Sequence, residues 1–145
     1  MRGVFRWPVR VYYEDTDAGG IVFYANYLKF FERARTEWLR AAGIGQQALA
    51  TTCQRMFVVK STGMDYHAPA KLDDWLEITV TVQKLGRASV NFVQEAWLAE
   101  DESTQLLCSG SIRVGCVDTL SLRPASIPEA VITKIRNSMK QNCDE

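Results

Sequence analysis

The chain has 145 residues, 47% apolar and 23% charged, which suits one domain, 1–145, with a real hydrophobic core. Seventeen basic residues balance seventeen acidic ones, so no global field draws in nucleic acid or an anionic membrane.

Residues 4–13 (VFRWPVRVYY) read as a strand, with Pro8 confining it to an edge or a bulge. The segment EDTDAGGIVFYA then breaks the pattern with acids, Thr16 and the Gly19–Gly20 pair. In NYLKFFERARTEWLRAAG, the residues Tyr27, Leu28, Phe31, Ala34, Trp38, Leu39 and Ala42 recur at helical spacing. Gly43 is placed to stop this long helix, and Asn26 stands near its start. A short second helix is expected around GQQALA.

From Arg55 the pattern changes to period two. RMFVVKSTGMDY reads as a strand ending before Pro69. WLEITVTVQ, SVNFVQEAW and LLCSGSIRVGCV follow, divided by turn chemistry at Leu85–Arg87 and by the acidic run 100–103. Short connections favour antiparallel neighbours. The tail SIPEAVITKIRNSMKQ carries Val131, Ile132, Ile135 and Met139 at helical spacing, with Ser126 and Glu129 as a candidate capping box. The order is strand, long helix, about four antiparallel strands and a terminal helix. One apolar helix against one curved sheet buries both faces, so an α+β fold is expected.

The N-terminal MRGVFRWPVRVYYED lacks the apolar region of a signal peptide, and no run is long enough to span a bilayer. Cys53, Cys108, Cys116 and Cys143 show no C-x-x-C spacing. Reduced thiols, and hence a cytoplasmic location without membrane insertion, are the expectation.

Elimination narrows the chemistry. His67 is the only histidine, so two-histidine metal sites are impossible and no Cys/His cluster supplies a ligand set. Its turn-like surroundings favour a structural or surface role. G-x-S-x-G, P-loop and G-x-G-x-x-G motifs are all missing. What remains is the acidic cluster Glu14, Asp15 and Asp17, two glycines, and the entry to the long helix. A carboxylate here would meet free backbone N–H groups that can hold a developing oxyanion. Such acids are also commonplace as caps and Asx turns, and spacing alone favours that structural reading. The aromatics Phe23, Tyr24, Tyr27, Phe30 and Phe31 read first as core. ERARTEWLR reads as a solvated helix face with Glu32 and Arg35 as an i,i+3 pair. Arg87 and Ser89 sit in a hairpin turn, where solubility competes with phosphate binding.

The stretch DTDAGGIVFYANYLKFFERARTEWL resembles the signature of YbgC-like acyl-CoA thioesterases, related to the 4-hydroxybenzoyl-CoA thioesterases of the hotdog superfamily. The likeness continues through FVVKSTGMDYHAPAKLDDWLEI and covers nearly the whole chain. It implies a hotdog fold, in which an antiparallel sheet wraps a long central helix. It also implies homodimers that associate into homotetramers, with the substrate, an acyl-CoA, in a groove between subunits. Coenzyme A is then part of the substrate, and no separate cofactor or metal is expected. By the same resemblance, Asp17 is the catalytic carboxylate and the backbone N–H of Tyr24 polarises the thioester carbonyl. Gly20, Ile21 and Val22 line the substrate, while Arg87 and Ser89 are the best candidates for the coenzyme A phosphates.

Many YbgC-like members carry histidine where this chain has Tyr24, and the hydroxybenzoyl branch has tyrosine. A phenol is not the base that imidazole is at neutral pH, so the exchange leaves a backbone role for Tyr24 intact. The resemblance leaves open short aliphatic, long aliphatic and aryl acyl groups, and both nucleophilic and general-base routes. A non-catalytic acyl-thioester-binding or scaffolding role, linked to acyl carrier protein or envelope machinery, is the alternative. A hydratase would ordinarily need a histidine-containing acid–base pair.

Overall fold

The computed structural model describes residues 4–100 and 103–143, so the middle of the acidic turn expected at 100–103 lies outside the described residues. In chain order the elements are β1 (Phe5–Arg10), α1 (Tyr27–Ala41), α2 (Gln46–Cys53), β2 (Arg55–Tyr66), β3 (Trp75–Leu85), β4 (Ser89–Glu100), β5 (Ser103–Asp118) and α3 (Glu129–Cys143). Two single 3-10 turns, Tyr13–Asp15 and Tyr24–Asn26, lie between β1 and α1. The first strand is shorter than its apolar run, because Val11 leaves β1 to exchange backbone bonds with Asp73 and Asp74.

All pairings are antiparallel, in the order β1-β3-β4-β5-β2. Pro8 lies in an edge strand, as its missing N–H requires. One expectation fails: β2 and β3 are consecutive but not neighbours, since β2 pairs with β5 on the far side of the sheet. Register shifts at Val59/Ser61, Val82/Lys84 and Ala96/Trp97 mark bulges. Bulges increase local bend and twist, helping a sheet to curl over a helix.

The core lies between that sheet and α1. Tyr27, Phe30, Phe31, Ala34, Trp38 and Leu39 are buried in one cluster with Leu76, Ile78, Val80, Val90, Phe92, Ile112 and Val114. Burying a side chain such as Phe30 or Phe31 contributes about 1.5–3 kcal/mol. Helix and sheet approach closely at Gly110, where a Cβ would stand 2.8 Å from a Phe31 ring carbon. Leu28, expected on the apolar stripe, is exposed, and Phe30 takes its place inside.

Arg35 corrects the reading of ERARTEWLR as wholly solvated. It is buried, and its Nη1 donates to Gln94 Oε1 at 2.9 Å. Gln94 Nε2 donates in turn to the Phe31 carbonyl at 3.0 Å. Burial lowers the Arg35 pKa, opposed by the nearby Glu32 charge. The i,i+3 ion pair on this helix is Glu37 with Arg40.

α1 ends as its glycine predicts. Gly43 has φ +87, Gly43 N–H donates to the Arg40 carbonyl and Ile44 N–H to that of Leu39. This is the Schellman pattern, and Leu39 and Ile44 are both buried beside it. The Ser126–Glu129 capping box does not form. The Pro128 carbonyl accepts from Val131 and Ile132 N–H, so Pro128 occupies the cap position itself.

Candidate active site

The acidic segment folds into a small two-armed loop. Thr16 and Val22 form an antiparallel bridge, flanked by Asp17 N–H to the Ile21 carbonyl at 2.9 Å and Phe23 N–H to the Asp15 carbonyl at 3.1 Å. Gly20, with φ +79, makes the reversal between the arms. One arm carries Asp17; the other leads through Phe23 into the turn Tyr24–Asn26 and then α1.

The three acids have three different fates. Glu14 is exposed. Asp15 is buried, and its carboxylate accepts from Tyr12 N–H and from Asn26 Nδ2, both at 2.9 Å. Asp17 is exposed, and its Oδ1 accepts from Gly19 N–H at 2.8 Å. That bond is an ordinary Asx turn. Its other oxygen has no hydrogen-bond partner among the described residues.

At the helix entry the first backbone bond is Asn26 N–H to the Phe23 carbonyl, at 2.8 Å. Tyr24 and Ala25 precede that bond, so helical geometry gives their N–H groups no partner within the turn. Such amides, with the helix dipole behind them, are donors for an anion or an oxyanion. Asn26 is not a helix cap: it makes no side-chain cap bond, and its amide goes to Asp15.

Aromatic rings surround this entry. Tyr24 lies 4.8 Å from Phe23 and 6.0 Å from Tyr66, ring centre to ring centre, and Tyr66 lies 5.8 Å from Tyr27. Phe23, Tyr24 and Tyr66 are exposed, so only part of the expected aromatic core is core. Tyr27 is buried; its desolvation, then nearby Cys108, pushes the phenol up to about 12. Burial, then Asp65, also pushes the Cys108 thiol up to about 12. Neither group is a base or a nucleophile at neutral pH.

Gly20, Ile21 and Val22 are held together in this loop, with Ile21 bridging Lys71 and Val22 N–H donating to the Ala70 carbonyl. Arg87 and Ser89 are not nearby. The Asp17 loop is tied to Ala70 and Lys71, ahead of the start of β3, whereas Arg87 follows its end. The length of β3, roughly 33 Å, runs between them. His67 is exposed and exchanges a 2.9 Å hydrogen bond with Ser109 Oγ. No cluster of three metal-ligating side chains occurs among the described residues.

A cavity of about 490 Å³ lies elsewhere, between Glu32, Arg35 and Thr36 of α1, Gln46 of α2 and Phe57 and Val59 of β2. It does not include Asp17 or Tyr24. It stands at the Arg55 end of β2, while Tyr66, by Tyr24, is at the other. Sequence reasoning missed Tyr66, Asn26 as a partner of Asp15, and Arg35 in the cavity wall. All three depend on contacts between distant segments.

A long helix packed against a five-stranded antiparallel sheet, with a glycine hairpin ahead of the helix entry, is the architecture of a hotdog thioesterase. Residues 19–105 match the Thioesterase superfamily, and the chain belongs to that family. The chain is 44% identical over 133 residues to the acyl-CoA thioester hydrolase YbgC of Escherichia coli, covering 92% of this chain and 96% of that protein. Among solved structures, a probable thioesterase from Bartonella henselae aligns with TM-score 0.74 and 28% identity, over 86% of this chain and 98% of that one. A 4-hydroxybenzoyl-CoA thioesterase complexed with 4-hydroxybenzoyl-CoA has the same fold, with TM-score 0.84 at 18% identity, over 90% of this chain and 97% of that one.

Proposed function

We propose that this chain is a single-domain acyl-CoA thioester hydrolase in which Asp17 is the catalytic carboxylate and the Tyr24 N–H the oxyanion donor. The observation that carries the assignment is the hairpin itself. It presents an exposed carboxylate with one oxygen unengaged, and continues directly into a helix entry with unpaired amides. Two balanced routes fit. Asp17 attacks the thioester carbonyl and expels the coenzyme A thiolate, and water then cleaves the mixed anhydride. Alternatively Asp17 takes a proton from water, which attacks in its place. In both, negative charge builds on the carbonyl oxygen, where a backbone donor is typically worth about a hundredfold to a thousandfold.

The reading includes a second copy. Asp17 stands open to solvent, and a thioester held there needs a cover that excludes bulk water. β2 is a twelve-residue edge strand with most of its Lys60–Tyr66 half exposed, the kind of edge that pairs with another chain. Antiparallel pairing of two β2 strands about their midpoint brings the Tyr66 end of one copy beside the Arg55 end of the other. Ser89 pairs with Gly115, and Gly115 with Val58, so the Arg87 turn belongs to that Arg55 end. The Arg87 turn and the cavity of one copy then face the Asp17 loop of the other. In this arrangement Arg87 and Ser89 meet the coenzyme A phosphates across the two-fold, while Gly20, Ile21 and Val22 line the thioester. Such dimers pairing again give the homotetramer. Free thiols at Cys53, Cys108 and Cys116 fit a reducing cytoplasm, and no helix among the described residues is long and apolar enough to cross a membrane.

The test is thiol release from acyl-CoAs of graded chain length and from benzoyl-CoA. Turnover is expected, and Asp17→Asn should lower kcat by about 10²–10⁴-fold with the fold and oligomer intact. Near-normal activity in that variant removes Asp17 from the mechanism. Tight binding without turnover of any substrate supports the acyl-thioester-binding alternative. A fully active monomer by light scattering overturns the shared site.

A further inference from the structure

We propose that Asp15 and Asn26 are positioning residues for catalysis, forming a buried clamp that sets the Asp17 carboxylate against the Tyr24 amide. The inference rests on the Asp17 reading above and adds to it the device that fixes its geometry.

The observations form a closed ring. Asp15 Oδ1 accepts from Asn26 Nδ2 at 2.9 Å, in a bond buried from solvent. Asn26 N–H donates to the Phe23 carbonyl at 2.8 Å, and Phe23 N–H to the Asp15 carbonyl at 3.1 Å. Asp15 Oδ2 accepts Tyr12 N–H at 2.9 Å, which anchors the ring to the chain leaving β1. Tyr24 lies inside the ring, two residues before Asn26. Asp17 lies just outside it, two residues after Asp15, and its N–H is held by the Ile21 carbonyl at 2.9 Å. The clamp thus joins the two segments that carry the reacting groups.

Stability alone does not account for these residue types. Asp15 and Asn26 are only 6% and 7% exposed. Buried polar pairs of this kind contribute little net stability compared with well-packed apolar residues, and their best-attested use is to specify one arrangement. Asn26 also precedes α1, where its side chain would ordinarily cap the helix, yet it makes no cap bond and reaches eleven residues back to Asp15. The side chain is thus committed to joining the two segments rather than to finishing the helix. A displacement of about 1 Å between reacting groups is enough to cost on the order of a hundredfold in rate.

The clamp touches neither Arg87 nor Ser89, so its loss should fall on kcat and spare KM. Asn26→Ser shortens the donor, and Asn26→Asp sets carboxylate against carboxylate. Each should lower kcat by about a hundredfold with KM within about threefold and near-UV circular dichroism retained. The reciprocal exchange Asp15→Asn with Asn26→Asp reverses the bond: the amide at position 15 donates to the new carboxylate and still accepts Tyr12 N–H. It should restore kcat to within about tenfold of the parent. If Asn26→Ser is folded and keeps kcat within about threefold, the clamp is structural only and the inference is wrong. If the single variants do not fold, the exchanged pair decides: when folded with parental KM, recovered kcat supports the clamp and unrecovered kcat overturns it. Asp17→Asn, measured alongside, separates the two claims: full activity there defeats the site assignment, whereas its inactivity beside normal clamp variants defeats only the clamp.

Discussion

The two ends of α1 are built on opposite rules. At the far end the backbone closes on itself: Gly43 and Ile44 satisfy the carbonyls of Arg40 and Leu39, and Leu39 and Ile44 pack below them. At the near end the first amides of the entry stay open. Asn26 is turned away to Asp15, the Tyr24 and Ala25 amides precede the first bond of the turn, and exposed aromatic rings stand around them. One end is finished for stability, and the other leaves two amides with no partner inside the turn. Under the proposed function these are the donors that meet the thioester.

The largest expected effect strikes the open end. Tyr24→Pro deletes the proposed oxyanion donor at a position made for proline, the first of its turn. The preceding Phe23 already has φ −59 and ψ 131, the extended geometry that a following proline demands. We expect kcat to fall about 10²–10³-fold with little change in melting temperature. Tyr24→Phe, which keeps the amide, should retain most activity; equal losses in both variants would shift the role to the phenol.

Next in size is a pH effect at the buried side of the same end. Tyr27 and Cys108 are held neutral by burial, both pushed up to about 12 from ordinary values of 10.0 and 9.0. Because the unfolded chain loses these protons first, stability is intact below about pH 9 and falls as pH rises through about 12. Urea unfolding at graded pH should show this, and Tyr27→Phe should remove about 2–3 kcal/mol of the loss above pH 10. An unchanged slope in Tyr27→Phe would assign the loss to other groups.

The smallest effect belongs to the closed end. Gly43→Ala forces a side chain into the φ +87 conformation and should cost about 1 kcal/mol in chemical unfolding, leaving kcat of the folded protein unchanged. A rate effect there would blur the contrast between the termini.

The fold was legible where the pattern is local. α1 shows itself by helical spacing and a stop glycine, and β2 by apolar alternation ended before Pro69. Strand order was not legible, because the pairing of Arg55 with Asp118 joins residues far apart in the chain. Asp15 and Asp17 are the same residue type two positions apart, and only the folded chain, with Tyr12 N–H and Asn26 Nδ2 on Asp15, tells the buried one from the exposed one. Arg35 sits in a run of charges that reads as solvent-facing until Gln94 is placed beneath it. At Asp17 the local reading was correct as far as it went: one oxygen does make an Asx turn. The catalytic reading came from the long motif, since no short-range rule says what the second oxygen is for.

Gly110 and Gly63 make a last contrast, in how much sequence change each site can absorb. They lie on adjacent strands, next to the paired residues Met64 and Ser111 respectively. At Gly110 a single added carbon would meet Met64 Sδ at 2.6 Å and a Phe31 ring carbon at 2.8 Å, whereas at Gly63 nothing stands within 4 Å. Overpacking of this kind costs about 1–3 kcal/mol. Within one copy, therefore, position 63 has room for a side chain, whereas substitution at 110 should be accepted only together with smaller residues at both 31 and 64.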